Sequence, residues 1–165
     1  MPLLLKGSCR CGAVRFEAAS HTPVPYQLCY CSICRKQQGG GGYAINLGAL
    51  NDSMKVTGGE NLGVYRAEIE DNEHPMCEIS TGERNFCMKC GAALWLYDPN
   101  WPELVHPFAS AIDSELPVAS ERVHLMLEFK PSWVEPDIRE NDATFDLYPR
   151  ESIEDWHKSR GLWVD

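Results

Sequence analysis

Short stretches of alternating hydrophobic and polar residues run through most of the chain, and no long segment repeats with helical periodicity. Many of the hydrophobic positions are aromatic or β-branched, and turn signals containing glycine or proline separate the stretches. This pattern is typical of antiparallel β structure. The sequence predicts strands over residues 13–18, 43–47, 54–57, 63–67, 92–97 and 124–129.

Two segments have the features of short helices. Residues 32–38 follow a group of cysteines, with Ser32 as the candidate N-cap. Residues 152–160 carry acidic residues early and basic residues late, which suits the helix dipole. The chain contains no internal repeat, low-complexity tract or linker, so we predict one domain over residues 1–165. The predicted fold class is mainly β and antiparallel, with one or two short helices.

The charge balance argues against two classes of partner. The chain has 15 Lys and Arg against 24 Asp and Glu, a net charge of −9. An acidic chain without a basic block repels the phosphates of nucleic acids and of anionic membranes, so we expect neither as a partner. No apolar run approaches the roughly 18 residues that span a bilayer, and the N-terminus has no signal-peptide pattern. We therefore expect a cytoplasmic protein, and the sequence leaves its oligomeric state open.

Cysteine is the residue type with the most informative placement. Eight cysteines occur, and seven of them lie in tight clusters. In a reducing compartment, clustered cysteines bind metal ions more often than they form disulfides. The clusters are Cys9-x-Cys11, Cys29-x-Cys31-x-x-Cys34 and Cys87-x-x-Cys90, and the remaining cysteine is Cys77.

The pair Cys87 and Cys90 is followed by Gly91, which is the form of one half of a structural zinc site. Such a site has four Cys or His ligands in a tetrahedron, so a second pair is required. Cys9 and Cys11 are the obvious candidates, because on an extended strand both side chains of C-x-C point to one face. The four cysteines together predict a structural zinc site, and the alternative is a set of free or disulfide-bonded thiols.

A second kind of site is indicated by Cys29, Cys31 and Cys34, which are three thiols within six residues. Three protein ligands with one open position is the arrangement of a catalytic zinc. Three thiolates donate strongly to the ion, which favours binding a thiol over activating water. A zinc deaminase is excluded because its glutamate and its Pro-Cys motif are missing. The alternative is a closed site completed by Cys77 or by one of the histidines, none of which has ligand-like spacing: His21, His74, His106, His124 and His157.

Candidate substrate-binding groups follow the second cluster directly. The nearest donors in sequence for a developing oxyanion are Arg35, Lys36 and the backbone N–H groups of the glycine run 39–42. Within that run, Gly40 and Gly41 would let a peptide-like ligand lie against the backbone. The alternatives are a solvated helix face for the two basic residues and a mobile loop for the glycines.

Three cysteine motifs follow one another along the chain, and a short tail motif comes after them. They are GSCRCGAVRF at 7–16, CYCSICRK at 29–36, GERNFCMKCG at 82–91 and KPSW at 130–133. The three cysteine motifs in this order resemble the glutathione-dependent formaldehyde-activating enzyme family, which also includes centromere protein V. The KPSW tail is similar to the family's K-P-x-W, so the matched elements extend from residue 7 to residue 133, which is most of the chain.

The resemblance implies a β-rich zinc fold similar to that of the Rab-binding zinc chaperones. It implies two zinc ions per chain, one structural and held by the four-cysteine set. It implies that Cys29, Cys31 and Cys34 hold the second zinc near a glutathione-type thiol. The founding activity is carbon–sulfur bond formation between glutathione and formaldehyde, a lyase reaction in reverse (S-(hydroxymethyl)glutathione synthase).

Three functional hypotheses follow from the residues and the resemblance. The first is an enzyme of carbon–sulfur chemistry acting on glutathione or a related small thiol and an aldehyde-type electrophile. The second is a thiol-binding carrier without turnover, and the third is a zinc-stabilised protein-interaction module. The open position of the three-cysteine site favours the first two, because an interaction module needs no vacant coordination. The sequence names neither the electrophile nor the thiol.

Overall fold

The computed structural model describes residues 1–38, 40–69 and 78–165. Within these residues the chain forms short strands joined by turns, and two seven-residue helices, α1 (Ser32–Gln38) and α2 (Ile153–Ser159). None of the helices in these ranges has the length and apolar character needed to cross a bilayer. The strands are β1 (Leu3–Ser8), β2 (Arg15–Ser20), β3 (Gln27–Cys29), β4 (Ala44–Ile45), β5 (Ala49–Leu50), β6 (Lys55–Thr57), β7 (Leu62–Tyr65), β8 (Glu68–Ile69), β9 (Glu78–Ile79), β10 (Glu83–Cys87), β11 (Ala93–Tyr97), β12 (Leu104–Pro107), β13 (Val123–Leu125) and β14 (Ala143–Thr144).

Most strands pair antiparallel, which confirms the prediction of a mainly β, antiparallel fold with few short helices. β1, β2 and β6 form one sheet, and a five-stranded sheet has the order β5-β12-β11-β10-β7. A third sheet has the order β14-β13-β3-β4, and β8 pairs with β9. In the third sheet β13 pairs parallel with both β3 and β14. A parallel pair requires a long connection between its strands, and β3 and β13 are far apart in the chain.

The predicted elements agree with the structure better in their positions than in their lengths. Helix α1 covers the predicted range, and α2 lies inside 152–160 with Ser152 as its N-cap. The predicted strand 124–129 is wrong in its second half, because β13 ends at Leu125. Met126 has a left-handed φ of 59°, which no extended strand accommodates, and a 3-10 turn follows it.

Each cysteine cluster lies at the margin of one hydrophobic core. The first core packs side chains of the β1-β2-β6 sheet against the five-stranded sheet, with Phe16 and Trp95 in edge-to-face contact at 5.1 Å between ring centroids. The second core packs α2 against the third sheet, with Trp156 stacked on Tyr26. Buried members of the first core include Cys9 and Cys87, and those of the second include Cys29 and Cys34.

Candidate metal centres

The first candidate centre joins two turns that are far apart in the sequence. Cys9 and Cys11 follow β1, Cys87 ends β10, and Cys90 lies in the turn before β11. Their four sulfur atoms all lie within 4.8 Å of one another. The Sγ atoms of Cys9 and Cys11 are 3.6 Å apart, and those of Cys11 and Cys87 are 3.8 Å apart. Cys9 and Cys87 are buried, whereas Cys11 and Cys90 face solvent.

Glycines in left-handed conformations close both turns. Gly12 has a φ of 76° and its N–H donates to the Cys9 carbonyl at 3.0 Å. Gly91 has a φ of 75° and its N–H donates to the Cys87 carbonyl at 2.8 Å. The prediction that Cys9 and Cys11 lie on an extended strand is therefore wrong. The two sulfurs converge because the backbone turns, which a residue with a positive φ allows and glycine adopts most easily.

Asn61 links the two turns through its side chain and its backbone. Its Nδ2 donates to the carbonyl of Ala13 at 3.5 Å, and its carbonyl accepts from the N–H of Met88 at 2.8 Å. Beside it, Gly58 has a φ of 80°, and a Cβ there would lie 1.8 Å from the Ala13 carbonyl oxygen. The segment that carries Gly58 and Asn61 thus packs directly on the backbone that presents the cysteines.

The second candidate centre is local in sequence. Cys29 ends β3, Cys31 lies in the bend that follows, and Cys34 lies in the first turn of α1. The three sulfurs lie within 4.8 Å of one another. Cys29 and Cys34 are buried, and Cys31 is half-buried. No histidine or carboxylate of the described ranges joins this group of sulfurs.

Within this cluster the Cys31 sulfur is the main hydrogen-bond acceptor. Its Sγ accepts a hydrogen bond from the N–H of Cys34 at 3.3 Å, so Cys31 caps α1, and Ser32, the predicted cap, is already the first helical residue. Hydrogen bonds from the Cys29 and Cys34 thiols lower the pKa of Cys31 below its usual value. The same contact with Cys31 raises the pKa of Cys29. The cluster therefore favours a thiolate at Cys31, and a thiolate is the form that binds a metal.

Both sets of donors fit a zinc ion. A tetrahedral zinc with Zn–S bonds of about 2.3 Å has S–S edges of about 3.8 Å. The 3.6 and 3.8 Å separations in the four-cysteine set match those edges. All seven donors are sulfur atoms, which favour soft or borderline metals over magnesium or calcium. Each of the two cysteine clusters can therefore hold a metal ion, and zinc suits their chemistry.

Two polar side chains from elsewhere in the chain contact the three-cysteine cluster. Nη2 of Arg84, on β10, lies 3.8 Å from Cys34 Sγ, and Nδ2 of Asn46 lies 4.0 Å from the same sulfur. Arg84 is 7% exposed. Its Nε and the Oδ1 of Asn46 are both buried without a hydrogen-bond partner. Buried polar atoms are nearly always paired in native proteins, so these two atoms are available to a polar ligand or to water.

A buried hydrogen-bond chain supports the backbone between Cys29 and Cys31. The hydroxyl of Tyr30 lies 2.9 Å from Nδ1 of His124, and Nε2 of His124 lies 3.0 Å from Oδ2 of Asp142. His124 stands on β13, directly beside β3. These hydrogen bonds therefore connect the segment that carries Cys29 and Cys31 to the neighbouring strand β13.

Known proteins are similar to this chain over most of its length. A family model described as glutathione-dependent formaldehyde-activating enzyme matches residues 4–126. The chain belongs to this family. A Halomonas elongata protein named for the same enzyme is 58% identical over 160 residues, which are 97% of this chain and 98% of that protein. A crystal structure of a Rhodobacter sphaeroides protein covers 69% of this chain and 99% of its own, with 26% identity and a TM-score of 0.48.

The substrate-binding residues that we predicted for this family member lie near the cluster in sequence, but no contact joins their side chains to its sulfurs within the described ranges. Arg35 is half-buried on α1 with its Nε unpartnered, and Lys36 is exposed. Gly40 has a φ of 75° and open space around it, and Gly41 packs near the Tyr43 ring.

The glycine run also contains a position where the backbone approaches a core side chain. A Cβ at Gly42 would lie 2.4 Å from Cγ2 of Val134, which is buried, and Gly42 has a φ of 86°. A side chain would clash at this position, so close approach explains this part of the run better than a plain mobile loop. Gly39 lies outside the described residues.

A cavity of about 530 Å³ lies between α1 and the four-cysteine turns. Gln37 contributes to its wall from α1, Arg10 from the turn after β1, and Asp113 from the segment after β12. Gln37 lies three residues after Cys34, which places both on one face of the helix. Asp113 accepts a hydrogen bond from the hydroxyl of Ser8 at 2.6 Å. The cavity thus offers charges of both signs close to the helix that carries Cys34.

Sequence reasoning missed two of the residues that contact the cluster. Arg84 lies in the third motif, three residues before Cys87, so a signal was present, but the motif pointed to the four-cysteine site. Its side chain instead reaches a sulfur 50 residues away in the chain. Asn46 carries no motif signal at all.

The two alternatives for a fourth ligand have different outcomes. His21, His106, His124 and His157 join neither sulfur cluster, so the histidine alternative is wrong for these four. Cys77 and His74 lie outside the described residues.

We expect that replacing Cys77 by alanine leaves the metal content of the purified protein unchanged. Cys77 lies outside both motif clusters, so neither cysteine motif predicts it as a ligand. The measurement is zinc per chain by plasma mass spectrometry, with Cys31→Ala as the matched ligand variant. Loss of one zinc from Cys77→Ala would make the three-cysteine cluster a closed site and would favour the interaction-module hypothesis.

Proposed function

We propose that this protein forms and breaks a carbon–sulfur bond between a glutathione-type thiol and an aldehyde, and so acts as a carbon–sulfur lyase of its family. The observation that carries the proposal is the group of three sulfurs from Cys29, Cys31 and Cys34, which lie within 4.8 Å of one another without a fourth protein donor in the described ranges. This is the ligand number of a catalytic site, not of a structural one. A cytoplasmic location and a single domain belong to the same proposal.

The residues divide between the two centres. Cys29, Cys31 and Cys34 would hold one zinc ion, which when bound supplies a position where a thiol is held and loses its proton. Cys9, Cys11, Cys87 and Cys90 would hold the other and stabilise the β fold, as in the Rab-binding zinc chaperones. The four-cysteine set crosslinks two turns 76 residues apart, which suits a structural role.

The body of the thiol would lie in the cavity beside α1. Glutathione has an ammonium and a carboxylate at its γ-glutamyl end and a second carboxylate at its glycine end. Arg10 and Asp113 on the cavity wall offer the complementary charges, and the Gln37 amide offers a donor and an acceptor. Holding the thiol beside the aldehyde would replace a bimolecular encounter by an oriented one.

The aldehyde oxygen gains negative charge when the sulfur attacks its carbon, and a donor is needed there. Arg35, Lys36 and the backbone N–H groups of Gly40 and Gly41 are the proposed donors on α1 and the loop after it. Arg35 is the strongest of these, because its buried Nε has no partner.

Calorimetric titration of the zinc-loaded protein with glutathione tests the proposal. We expect binding with release of about one proton per thiol at pH 7, measured in two buffers of different ionisation enthalpy. S-methylglutathione, which has the same charges and no thiol, should bind without proton release. Cys31→Ser should abolish the proton release, and Ser32→Ala, a change beside it on the surface, should retain it.

Turnover separates an enzyme from a carrier. Magnetisation exchange between ¹³C-formaldehyde hydrate and its glutathione adduct should be faster with the wild-type protein than with Cys31→Ser. Binding with proton release but without faster exchange would identify a thiol carrier. Absence of glutathione binding would reject the carbon–sulfur proposal for this chain.

A further inference from the structure

Arg84 carries a charge that no carboxylate of the described residues neutralises. Its side chain is 7% exposed, its Nη2 contacts Cys34 Sγ at 3.8 Å, and its Nε is buried without a partner. Guanidinium groups stay protonated in proteins. A buried charge needs a counter-charge, and among the described residues the group that Arg84 contacts is the sulfur cluster of Cys29, Cys31 and Cys34.

The contact between Arg84 and Cys34 matters for ligand binding because of the charge that the three-cysteine cluster has when it holds a metal ion. Three thiolates on a divalent ion have a net charge of −1, which Arg84 neutralises. A thiolate as fourth ligand changes the cluster charge to −2, whereas a neutral ligand leaves it at −1. The attraction of a nearby guanidinium therefore strengthens the binding of an anionic fourth ligand more than that of a neutral one.

Asn46 supports the same preference from a second direction. Its Nδ2 lies 4.0 Å from Cys34 Sγ, so its N–H groups face the sulfur that Arg84 contacts. A bridge between Asn46 and Phe108 holds its backbone. The amide donates to the sulfur without adding charge, and its Oδ1 remains buried and unpartnered.

We propose that Arg84, assisted by Asn46, is the counter-cation of the three-cysteine site and makes it select a thiolate over a neutral fourth ligand. The preference for a thiolate ligand rests on the proposed thiol chemistry, but the charge pairing between Arg84 and the three sulfurs does not. Arg84 is a positioning residue in this scheme, because it acts on the ligand through the charge of the cluster. The four-cysteine site is an internal reference, because its Cys11 and Cys90 face solvent, which screens charge.

When cobalt(II) replaces zinc, its thiolate charge-transfer absorption reports the binding of the metal and of a fourth ligand. The cobalt-loaded wild type, Arg84→Gln and Arg84→Lys are titrated with 2-mercaptoethanol, which binds as a thiolate, and with imidazole, which binds neutral. We expect Arg84→Gln to weaken the binding of 2-mercaptoethanol about tenfold or more and to change the binding of imidazole less than about twofold. Arg84→Lys should restore most of the lost affinity for 2-mercaptoethanol. Arg66→Gln, at an exposed arginine paired with Glu83, is the control and should change neither.

Equal weakening of both ligands in Arg84→Gln, or no weakening of 2-mercaptoethanol, would overturn the proposal. If Arg84→Gln does not fold, Asn46→Asp replaces it in the same titrations. The added negative charge should weaken the binding of 2-mercaptoethanol and leave the binding of imidazole unchanged. Weaker imidazole binding with unchanged 2-mercaptoethanol binding would overturn the proposal.

Titration with cobalt alone separates this proposal from the proposed function. If wild-type protein binds no 2-mercaptoethanol, the proposed thiol chemistry fails. Arg84→Gln should even then weaken the binding of cobalt at the three-cysteine site about tenfold and leave the cobalt affinity of the four-cysteine site unchanged. Unchanged cobalt affinity at the three-cysteine site would overturn the counter-cation role as well.

Discussion

Replacing Cys87 by serine is expected to prevent folding, whereas replacing Cys31 by serine should leave a folded protein that retains one zinc ion. Cys87 is fully buried in the first core, and its cluster joins turns 76 residues apart. Structural zinc contributes about 10–16 kcal/mol in small peptides, against about 5–15 kcal/mol for the whole stability of a domain. The Cys31 cluster closes only a local loop, so its loss costs far less.

The measurements are the soluble fraction, the circular dichroism spectrum and the zinc content per chain. Met88→Ser is the matched control for Cys87→Ser, because Met88 lies in the same turn, is 59% exposed and is not in the cluster. That control should fold and hold two zinc ions. Equal tolerance of Cys87→Ser and Cys31→Ser would contradict the division into a structural and a catalytic site.

Replacing Asp142 by asparagine should destabilise the protein by about 3–5 kcal/mol, the usual cost of removing one partner of a buried ion pair. Its buried carboxylate accepts hydrogen bonds from Arg122 Nη2 at 2.8 Å, from His124 Nε2 at 3.0 Å and from the N–H of Arg139 at 3.0 Å. Urea unfolding gives the change in free energy. Asp137→Asn is the control, because Asp137 contacts the same Arg122 at 3.4 Å but is 80% exposed, and such pairs contribute about 1 kcal/mol or less.

The same carboxylate makes stability fall in acid. Burial alone would raise the pKa of Asp142, but hydrogen bonds from Arg122, Arg139 and His124 outweigh burial, so the pKa lies below the ordinary value of 3.8. The folded state therefore binds its proton less readily than the unfolded state. The resulting stabilisation is present above about pH 4 and is lost as the pH falls through the folded pKa. Unfolding free energies below pH 4 should decline more steeply for wild type than for Asp142→Asn, and parallel curves would contradict this assignment.

The sequence alone determined which cysteines come together in the two candidate metal centres and where helix α1 lies in the chain. Seven cysteines occur in three tight clusters, and a structural zinc needs four ligands, so spacing and ligand number together assigned them to the two sets that the structure shows. Helix α1 was predicted with its bounds because a local pattern of side chains determines a short helix. The predominance of β structure followed from alternation and turn residues, which are also local signals.

Tertiary structure decided which other groups act on those centres. Cys9 and Cys11 converge through a turn, and a distant segment that carries Gly58 and Asn61 packs on the adjoining residue Ala13. Arg84 reaches Cys34 only because the two cores bring β10 beside α1. Spacing records which residues share a local segment, whereas the contacts of a buried charge depend on how distant segments pack, and no local pattern encodes that packing.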